Sequence, residues 1–87
     1  MEYRNLGNSG LKISAISLGT WKNIGPYADL VEIKKCFKLA FEKGINLFDT
    51  ADTYDLGGAE VFLGKMAKEF KRNNVVLATK CFFPISE

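Results

Sequence analysis

The regular alternation of short apolar runs with amphipathic stretches constrains the fold of this chain more than any other feature. Apolar runs occupy residues 15–19, 45–50 and 75–80, and two stretches with apolar residues at helical spacing separate them. Nearly continuous apolar strands that alternate with amphipathic helices are typical of parallel sheets with helices packed on them. The sequence therefore predicts an α/β fold in which right-handed crossovers connect the strands.

The two helical stretches carry recognisable ends. Asp29 is expected to cap the first helix, Glu32 follows three residues later as in a capping box, and Gly44 is expected to close it. The second helix follows the predicted loop "ADTYDLGG" and ends at "KRNN". The apolar helix positions expected to face the core are Ile33, Cys36, Phe37, Ala40 and Phe41 on the first helix, and Ala59, Phe62, Leu63, Met66, Ala67 and Phe70 on the second.

The N-terminal segment predicts a small hairpin ahead of these units. The turn-forming sequence "GNSG" separates two short extended runs. Residues 3–6 are therefore expected to pair with residues 11–14, which gives a hairpin over about residues 3–14.

Three parallel strands with two helices on one face do not make a closed domain. The opposite face and both edges of such a sheet stay open, and open edges promote unwanted pairing. A chain of 87 residues is marginal in size as well, because it buries only about 60–65% of its unfolded surface. We therefore expect residues 1–87 to be the N-terminal part of a larger single α/β domain, completed by missing sequence or by another chain.

Composition and charge exclude several classes of function. Lysine and arginine number 12 and aspartate and glutamate 10, so the net charge of +2 gives no sign of a nucleic-acid-binding surface. Two cysteines without a histidine make a poor zinc site, so no metal is expected. The sequence shows neither a signal-peptide pattern nor an apolar run that could insert into a membrane. We expect a cytoplasmic protein, with a secreted protein that has lost its leader as the alternative.

Polar side chains follow the second and third predicted strands at the point where each strand ends. Asp49 ends one apolar run, Lys80 ends the next, and Tyr54 lies five residues after Asp49 in the following loop. Chemistry in parallel α/β folds collects at the carboxyl ends of the strands. Since side chains alternate along a strand, Asp49 and Lys80 are expected to meet at one rim if both of these faces point inward.

These three residue types have a specific chemical use together. An ordinary tyrosine has a pKa of about 10, which makes it a poor proton donor at neutral pH. A nearby ammonium group favours the phenolate and lowers that pKa, and a paired aspartate keeps the ammonium group charged. The spacing alone leaves a second interpretation open, in which the loop is turn chemistry, the lysine a solvated edge charge and the tyrosine a packing residue.

Three stretches of the sequence resemble the aldo-keto reductases, and most closely the branch that contains bacterial reductases and the β-subunits of voltage-gated potassium channels. "YRNLGNSGLKISAISLGTW" looks like the opening hairpin and first barrel strand, "GINLFDTADTY" like the second strand and tyrosine loop, and "AEVFLGKMAKEFKRNNVVLATK" like the next helix and the lysine strand. The resemblance implies the first β-α-β-α-β units of a (β/α)8 TIM barrel, capped at its bottom by the hairpin. It also implies NADPH-dependent reduction of aldehydes or ketones.

The resemblance implies a catalytic role for three residues. Tyr54 would be the general acid, Lys80 would lower the pKa of that tyrosine, and Asp49 would be the partner of the lysine.

The resemblance also implies where the cofactor and substrate lie. Gly19, Thr20 and Trp21, together with Asp49, would form the cofactor-binding set at the nicotinamide end of NADPH. The carbonyl substrate would lie in a pocket of which this chain supplies three aromatic residues: Trp21, Tyr54 and Phe82.

Two parts of the family pattern lie outside this sequence. The fourth catalytic position, usually histidine but asparagine in the channel-subunit branch, belongs to the next strand, and the main contacts to the cofactor phosphates come from later elements. We therefore expect the isolated 87-residue chain to be inactive. Two alternatives to an enzyme stay open: a regulatory subunit like the channel β-subunits, and a small βαβαβ binding module without chemistry.

Overall fold

A computed structural model describes residues 1–84 of the chain. Its elements are, in chain order, strands β1 (Tyr3–Asn5), β2 (Lys12–Ser14) and β3 (Leu18–Gly19), helix α1 (Leu30–Glu42), strand β4 (Leu47–Asp49), a 3-10 turn (Tyr54–Gly57), helix α2 (Gly58–Ala67), a second 3-10 turn (Arg72–Asn74) and strand β5 (Val76–Ala78). The predicted order of hairpin, strand, helix, strand, helix, strand is present.

The hairpin closes the amino-terminal end of the parallel sheet. β1 and β2 pair antiparallel, with Tyr3 opposite Ser14. The Tyr3 hydroxyl donates to the Gly44 carbonyl oxygen over 2.6 Å, and the Ser14 amide donates to Asn46 Oδ1 over 2.7 Å. Because Gly44 and Asn46 directly precede β4, these bonds hold the hairpin at the end of the sheet that is opposite the strand carboxyl ends.

The parallel sheet brings three strand ends together. The strand order is β3-β4-β5, and Asp49 lies opposite Gly19 on one side and Ala78 on the other. All three strands are shorter than the apolar runs that predict them. The prediction of a buried strand over residues 15–19 is wrong, because only Leu18 and Gly19 pair and both are half-buried. β3 has a neighbour on one side only among residues 1–84, which leaves Ala15 and Ile16 exposed.

Both ends of α1 follow from local sequence. The Asp29 carboxylate accepts hydrogen bonds from the Val31 and Glu32 amides, as an N-cap residue does. The Glu32 carboxylate pairs with Lys35 instead of reaching back to the cap, so the expected capping box is incomplete. Gly44 closes the helix with φ of 100°, in the region that glycine tolerates.

The hydrophobic core lies between the sheet and the two helices. Phe37 of α1 stacks on Phe48 of β4 at 5.6 Å between ring centroids and meets the edge of Phe62 of α2 at 5.5 Å. Since Phe48 points towards the helices, its neighbours Leu47 and Asp49 point to the opposite face of the sheet. That face is half-buried in residues 1–84, so α1 and α2 cover one face of the sheet only.

Two predictions about the helices need correction. Cys36 is exposed, because Phe37 is the one fully buried position of α1 and the helix contacts the core along a narrower stripe than its apolar pattern indicates. The loop before α2 contains a 3-10 turn in which Asp55 and Leu56 adopt left-handed backbone angles, with φ of 51° and 52°. α2 itself ends at Ala67, three residues before the predicted apolar stripe ends.

Candidate active site

The structure brings Asp49 and Lys80 together at the carboxyl end of the sheet. Lys80 Nζ donates to Asp49 Oδ2 over 2.9 Å and to Asp49 Oδ1 over 3.1 Å. The register explains the contact, because Asp49 lies opposite Ala78 and Lys80 follows two residues later, just beyond the end of β5. The two side chains are partly exposed, at 37% for Asp49 and 50% for Lys80.

Lys80 also contacts two further oxygen atoms. Its Nζ donates to the Thr50 carbonyl oxygen over 2.8 Å and to Tyr54 Oη over 3.1 Å. An ammonium group has three N–H donors and no acceptor. The carboxylate, the carbonyl and the phenol oxygen therefore occupy the whole hydrogen-bonding capacity of Lys80, and the proton of the Tyr54 hydroxyl stays available for another acceptor.

The turn after β4 positions the tyrosine. Ala51 is buried, and its carbonyl oxygen accepts from the Tyr54 amide over 3.2 Å. The phenol ring lies beneath the lysine, with Lys80 Nζ 4.7 Å from the ring centroid. Trp21, which follows the first strand end, tilts against the same ring at 6.3 Å between centroids. Tyr54 is thus held between a cation and an aromatic side chain.

The electrostatic setting of Lys80 stabilises its charged form. Hydrogen bonds to the Asp49 carboxylate and then to Tyr54 raise the pKa of Lys80 above its ordinary value of 10.5, against a smaller opposing effect of burial. The lysine is therefore a permanent cation at neutral pH.

The predicted cofactor residues at the end of β3 differ in accessibility. Thr20 is fully buried, and its hydroxyl donates to the Asp49 carbonyl oxygen over 3.1 Å, so its side chain ties β3 to β4. Gly19 is half-buried, and a Cβ atom there would meet no atom within 4 Å. Trp21 is 64% exposed and has Lys22 Nζ 4.6 Å above its ring. Gly19 and Trp21 offer open surface beside the site, and the Thr20 side chain does not.

A cavity of about 280 Å³ opens directly over the tyrosine and the lysine. Trp21 and Phe83 provide aromatic surface, and the exposed Cys81 thiol also lines the cavity. Phe82, which was expected beside the substrate, does not line this cavity and is almost fully exposed, whereas the neighbouring Phe83 lines it. The remaining lining residues are Ala51, Asp52, Thr53, Tyr54 and Lys80.

Two contributors to the site escaped sequence reasoning. The Thr50 carbonyl oxygen is one of the acceptors that hold Lys80, and a backbone carbonyl has no residue-type signal. Glu60 on α2 accepts a hydrogen bond from the Thr79 hydroxyl over 2.7 Å, which ties the lysine strand to the helix. The contact between Thr79 and Glu60 could have been predicted from the sequence. Side chains alternate along a strand, so Thr79 points to the face opposite Lys80, which is the face that the helices cover.

Within residues 1–84, histidine, cysteine, aspartate and glutamate side chains form no group of three or more that could hold a metal ion. The same region has no helix with the length and apolar character required to cross a membrane.

Comparison with known proteins was made for sequence and for structure. The model of the aldo/keto reductase family matches residues 15–87. A thermostable aldo-keto reductase, Tm1743, solved in complex with the inhibitor epalrestat, superimposes with a TM-score of 0.80 at 34% identity, over 91% of this chain and 30% of its own. PA4992 from Pseudomonas aeruginosa, assigned to the aldo-keto reductases, superimposes with a TM-score of 0.76 at 38% identity, over the same shares of the two chains.

These matches confirm the predicted family and the predicted incomplete barrel. The chain spans about 30% of the length of the solved reductases that it matches, so it forms a partial barrel. The closer resemblance to the channel-subunit branch stays a prediction, as do the roles of individual site residues. On the family match and these two structural matches, the chain belongs to the aldo/keto reductase family.

Proposed function

We propose that the protein containing this chain reduces the carbonyl group of an aldehyde or ketone to an alcohol, with Tyr54 as the proton donor. The observation that supports this most strongly is the hydrogen-bond arrangement around Lys80. Its ammonium group donates to Tyr54 Oη over 3.1 Å and to Asp49 Oδ2 over 2.9 Å. The phenol oxygen is thus an acceptor towards the lysine and remains a donor towards the cavity.

The proton transfer follows from this arrangement. A substrate whose carbonyl oxygen accepts a hydrogen bond from Tyr54 Oη receives the phenol proton as negative charge develops on that oxygen. The negative charge then left on Tyr54 Oη lies 3.1 Å from the Lys80 ammonium group. Such a preorganised cation stabilises charge that develops in the transition state, which is how a site of this kind accelerates the reaction.

Asp49 keeps the lysine in this role. The carboxylate raises the pKa of Lys80, so the amine does not become the neutral nucleophile that a Schiff base requires. The pair also fixes the direction of Nζ towards the phenol oxygen. We therefore assign Lys80 to electrostatic stabilisation and Asp49 to positioning.

The residues beside Tyr54 suit a nicotinamide cofactor. A Cβ atom at Gly19 would meet no atom within 4 Å, and Trp21 presents an exposed ring, so these two residues would offer surface to a nicotinamide ring. When bound, the cofactor supplies the hydride that the carbonyl carbon accepts. We propose NADPH for this position on the basis of the family resemblance, with Asp49 beside it and the buried Thr20 supporting the strand end from below.

The remaining parts of the proposal concern the whole protein. The fourth catalytic group and the contacts to the cofactor phosphates come from the rest of the barrel. We place the protein in the cytoplasm, because Cys36 and Cys81 are both exposed, unpaired thiols, as is usual in a reducing compartment.

The test is carbonyl-dependent oxidation of NADPH by the protein with its complete barrel. The wild-type protein is expected to oxidise NADPH only when an aldehyde or ketone is added. Lys80→Met is expected to lower kcat by about 10²–10⁴-fold, because it removes the cation beside the phenol. Lys71→Met is the matched control, since Lys71 is an exposed lysine directly before the 3-10 turn that leads into β5. Full activity of Lys80→Met, or the absence of carbonyl-dependent oxidation in the wild type, contradicts the proposal.

A further inference from the structure

A groove on the outside of the helical layer is separate from the candidate active site. It lies between α1, α2 and the loop before α1, and its volume is about 260 Å³. Its two helical walls follow the adjacent strands β3 and β4, and within residues 1–84 the groove is open to solvent.

Each helical wall presents the same pair of side chains. Leu30 of α1 is followed four residues later by Lys34, and Val61 of α2 is followed four residues later by Lys65; all four line the groove. Residues four apart on a helix lie one above the other, with about 5–6 Å between their Cβ atoms. The groove therefore has an apolar end, formed by Leu30 and Val61, and a lysine end, formed by Lys34 and Lys65.

The apolar end is exposed although it adjoins the core. Ile24 and Phe62, at the floor of the groove, are each 7% exposed, whereas Leu30 and Val61 are 45% and 58% exposed. Leu30 and Val61 therefore offer exposed apolar surface on the two helical walls of the groove.

The lysine end carries charge that the chain itself does not neutralise. Within residues 1–84, neither Lys34 nor Lys65 forms an ion pair, whereas Lys35 and Lys38 each have an acidic partner. The lysine end therefore retains two positive charges at neutral pH.

One acidic side chain also lines the groove. A Cβ atom at Gly58 would collide with the Asp55 carboxylate, so this carboxylate lies against the first turn of α2. The partial positive charge of a helix N-terminus favours a carboxylate there. The Asp55 carboxylate thus lies at the N-terminal end of α2, more than one helical turn from Lys65.

We propose that this groove is a docking site for an acidic segment of a partner protein. The segment places one apolar side chain at the apolar end and presents carboxylates to the lysine end. A volume of about 260 Å³ suits one or two anchoring side chains. The limited size of the groove predicts a weak, transient complex that depends on salt.

The test is an NMR titration of the protein containing the complete chain with three synthetic peptides. GELFEEG has the apolar anchor and the acidic residues, GKLFKKG reverses the charge, and GEGGEEG lacks the anchor. We expect GELFEEG to bind saturably, with amide shifts confined to the groove, and to bind about tenfold more tightly than either other peptide.

Two variants and a matched control complete the experiment. The double variant Lys34→Gln, Lys65→Gln is expected to weaken GELFEEG binding by about tenfold, and Val61→Asp to abolish it. All three side chains are exposed, so the fold is expected to be unaffected. The control, Lys12→Gln with Lys71→Gln, removes the same charge elsewhere and is expected to bind like the wild type.

Several outcomes would overturn the proposal. Equal affinity for the three peptides, no saturable binding, or undiminished binding by the lysine double variant each contradict it. Tighter binding of hexanoate than of GELFEEG would assign the groove to a small-molecule carboxylate. Concentration-dependent dimerisation that Val61→Asp abolishes would assign it to a second copy of this chain.

Discussion

At the scale of single residues, Lys80 is the centre of the candidate active site. Its three N–H donors contact a carboxylate, a backbone carbonyl and a phenol oxygen, all within 3.1 Å. A lysine surrounded in this way has one defined direction and one charge state. Asp49 is the largest cause of the raised pKa of Lys80, which makes the aspartate the residue to change first.

Replacing Asp49 is expected to lower the pKa of Lys80. Asp49→Asn keeps the shape of the side chain but removes the negative charge and weakens the hydrogen bond that raise this pKa. The measurement is NMR titration of the Lys80 Nζ and Cε signals in the complete protein. Asp52→Asn is the matched control, because Asp52 is in the same loop and Lys80 Nζ donates no hydrogen bond to it. An unchanged pKa of Lys80 in Asp49→Asn would refute the assigned cause.

The same pair gives stability a defined dependence on pH. The pKa of Lys80 is higher in the folded protein than its ordinary value of 10.5. The contribution of the charged pair is therefore fully present below pH 10.5 and is lost as the pH rises through the folded-state pKa. Asp49→Asn is expected to reduce this alkaline loss of stability, and the part that remains comes from the hydrogen bond between Lys80 and Tyr54.

At the scale of elements, the hairpin is anchored to the segment between α1 and β4. Tyr3 donates to the Gly44 carbonyl oxygen, and Gly44 has φ of 100°. A Cβ atom at Gly44 would lie 2.9 Å from Tyr3 Oη and 3.0 Å from Met1 Cβ. One glycine thus provides both the end of α1 and the space in which the hairpin docks.

Gly44→Ala is expected to lower the free energy of unfolding by about 1–3 kcal/mol, because alanine is strained at this φ and its Cβ displaces the tyrosine. Urea unfolding of the complete protein measures this change. Gly10→Ala is the control: Gly10 has no positive φ, and a Cβ there meets no atom within 4 Å. Equal stability of the two variants would show that the hairpin does not dock through Gly44.

Local signals predicted the elements, and tertiary contacts decided their limits. Asp29 and Gly44 were correct as helix ends because each acts on amides or backbone angles only a few residues away. Cys36 was misplaced because helical spacing does not show how wide a stripe the sheet covers. The first strand was overestimated for a related reason, since strand length depends on neighbours that sequence periodicity does not reveal.

The part of the site that depends on the alternation of side chains along the strands could be predicted from the sequence. The alternation of side chains along β4 and β5 was sufficient to predict that Asp49 and Lys80 meet. It could not predict the Thr50 carbonyl as an acceptor, nor that Phe83 lines the cavity in place of Phe82. Those features depend on the path of the backbone beyond the strand ends, where φ of Phe82 is 131°.

At the scale of the whole molecule, the chain supplies one sector of a barrel. The sheet has three parallel strands, helices on one face, and a hairpin below. The candidate site lies at the top of this sector and is partly open to water, since half of the Lys80 side chain is exposed. Exclusion of water strengthens electrostatic stabilisation, so the rest of the barrel matters for the chemistry as well as for stability.

The isolated 87-residue chain is therefore expected to show no carbonyl-dependent oxidation of NADPH, although it contains Asp49, Tyr54 and Lys80. The cavity is open to water within residues 1–84, and the proposed phosphate contacts of NADPH are assigned to the rest of the barrel. The control is the complete-barrel protein, assayed with the same aldehyde. Turnover by the purified 87-residue chain would refute the view that these residues need the rest of the barrel.

The most direct test of the account is the effect of Tyr54→Phe on kcat for carbonyl reduction by the complete protein. The variant removes only the phenol oxygen that Lys80 contacts, and Tyr27→Phe, at a fully exposed tyrosine, removes the same atom away from the site. We predict that Tyr54→Phe lowers kcat by about 10²–10⁴-fold with little change in KM, and that Tyr27→Phe has wild-type kcat. A kcat for Tyr54→Phe close to that of the wild type would contradict the assignment of Tyr54 as the proton donor.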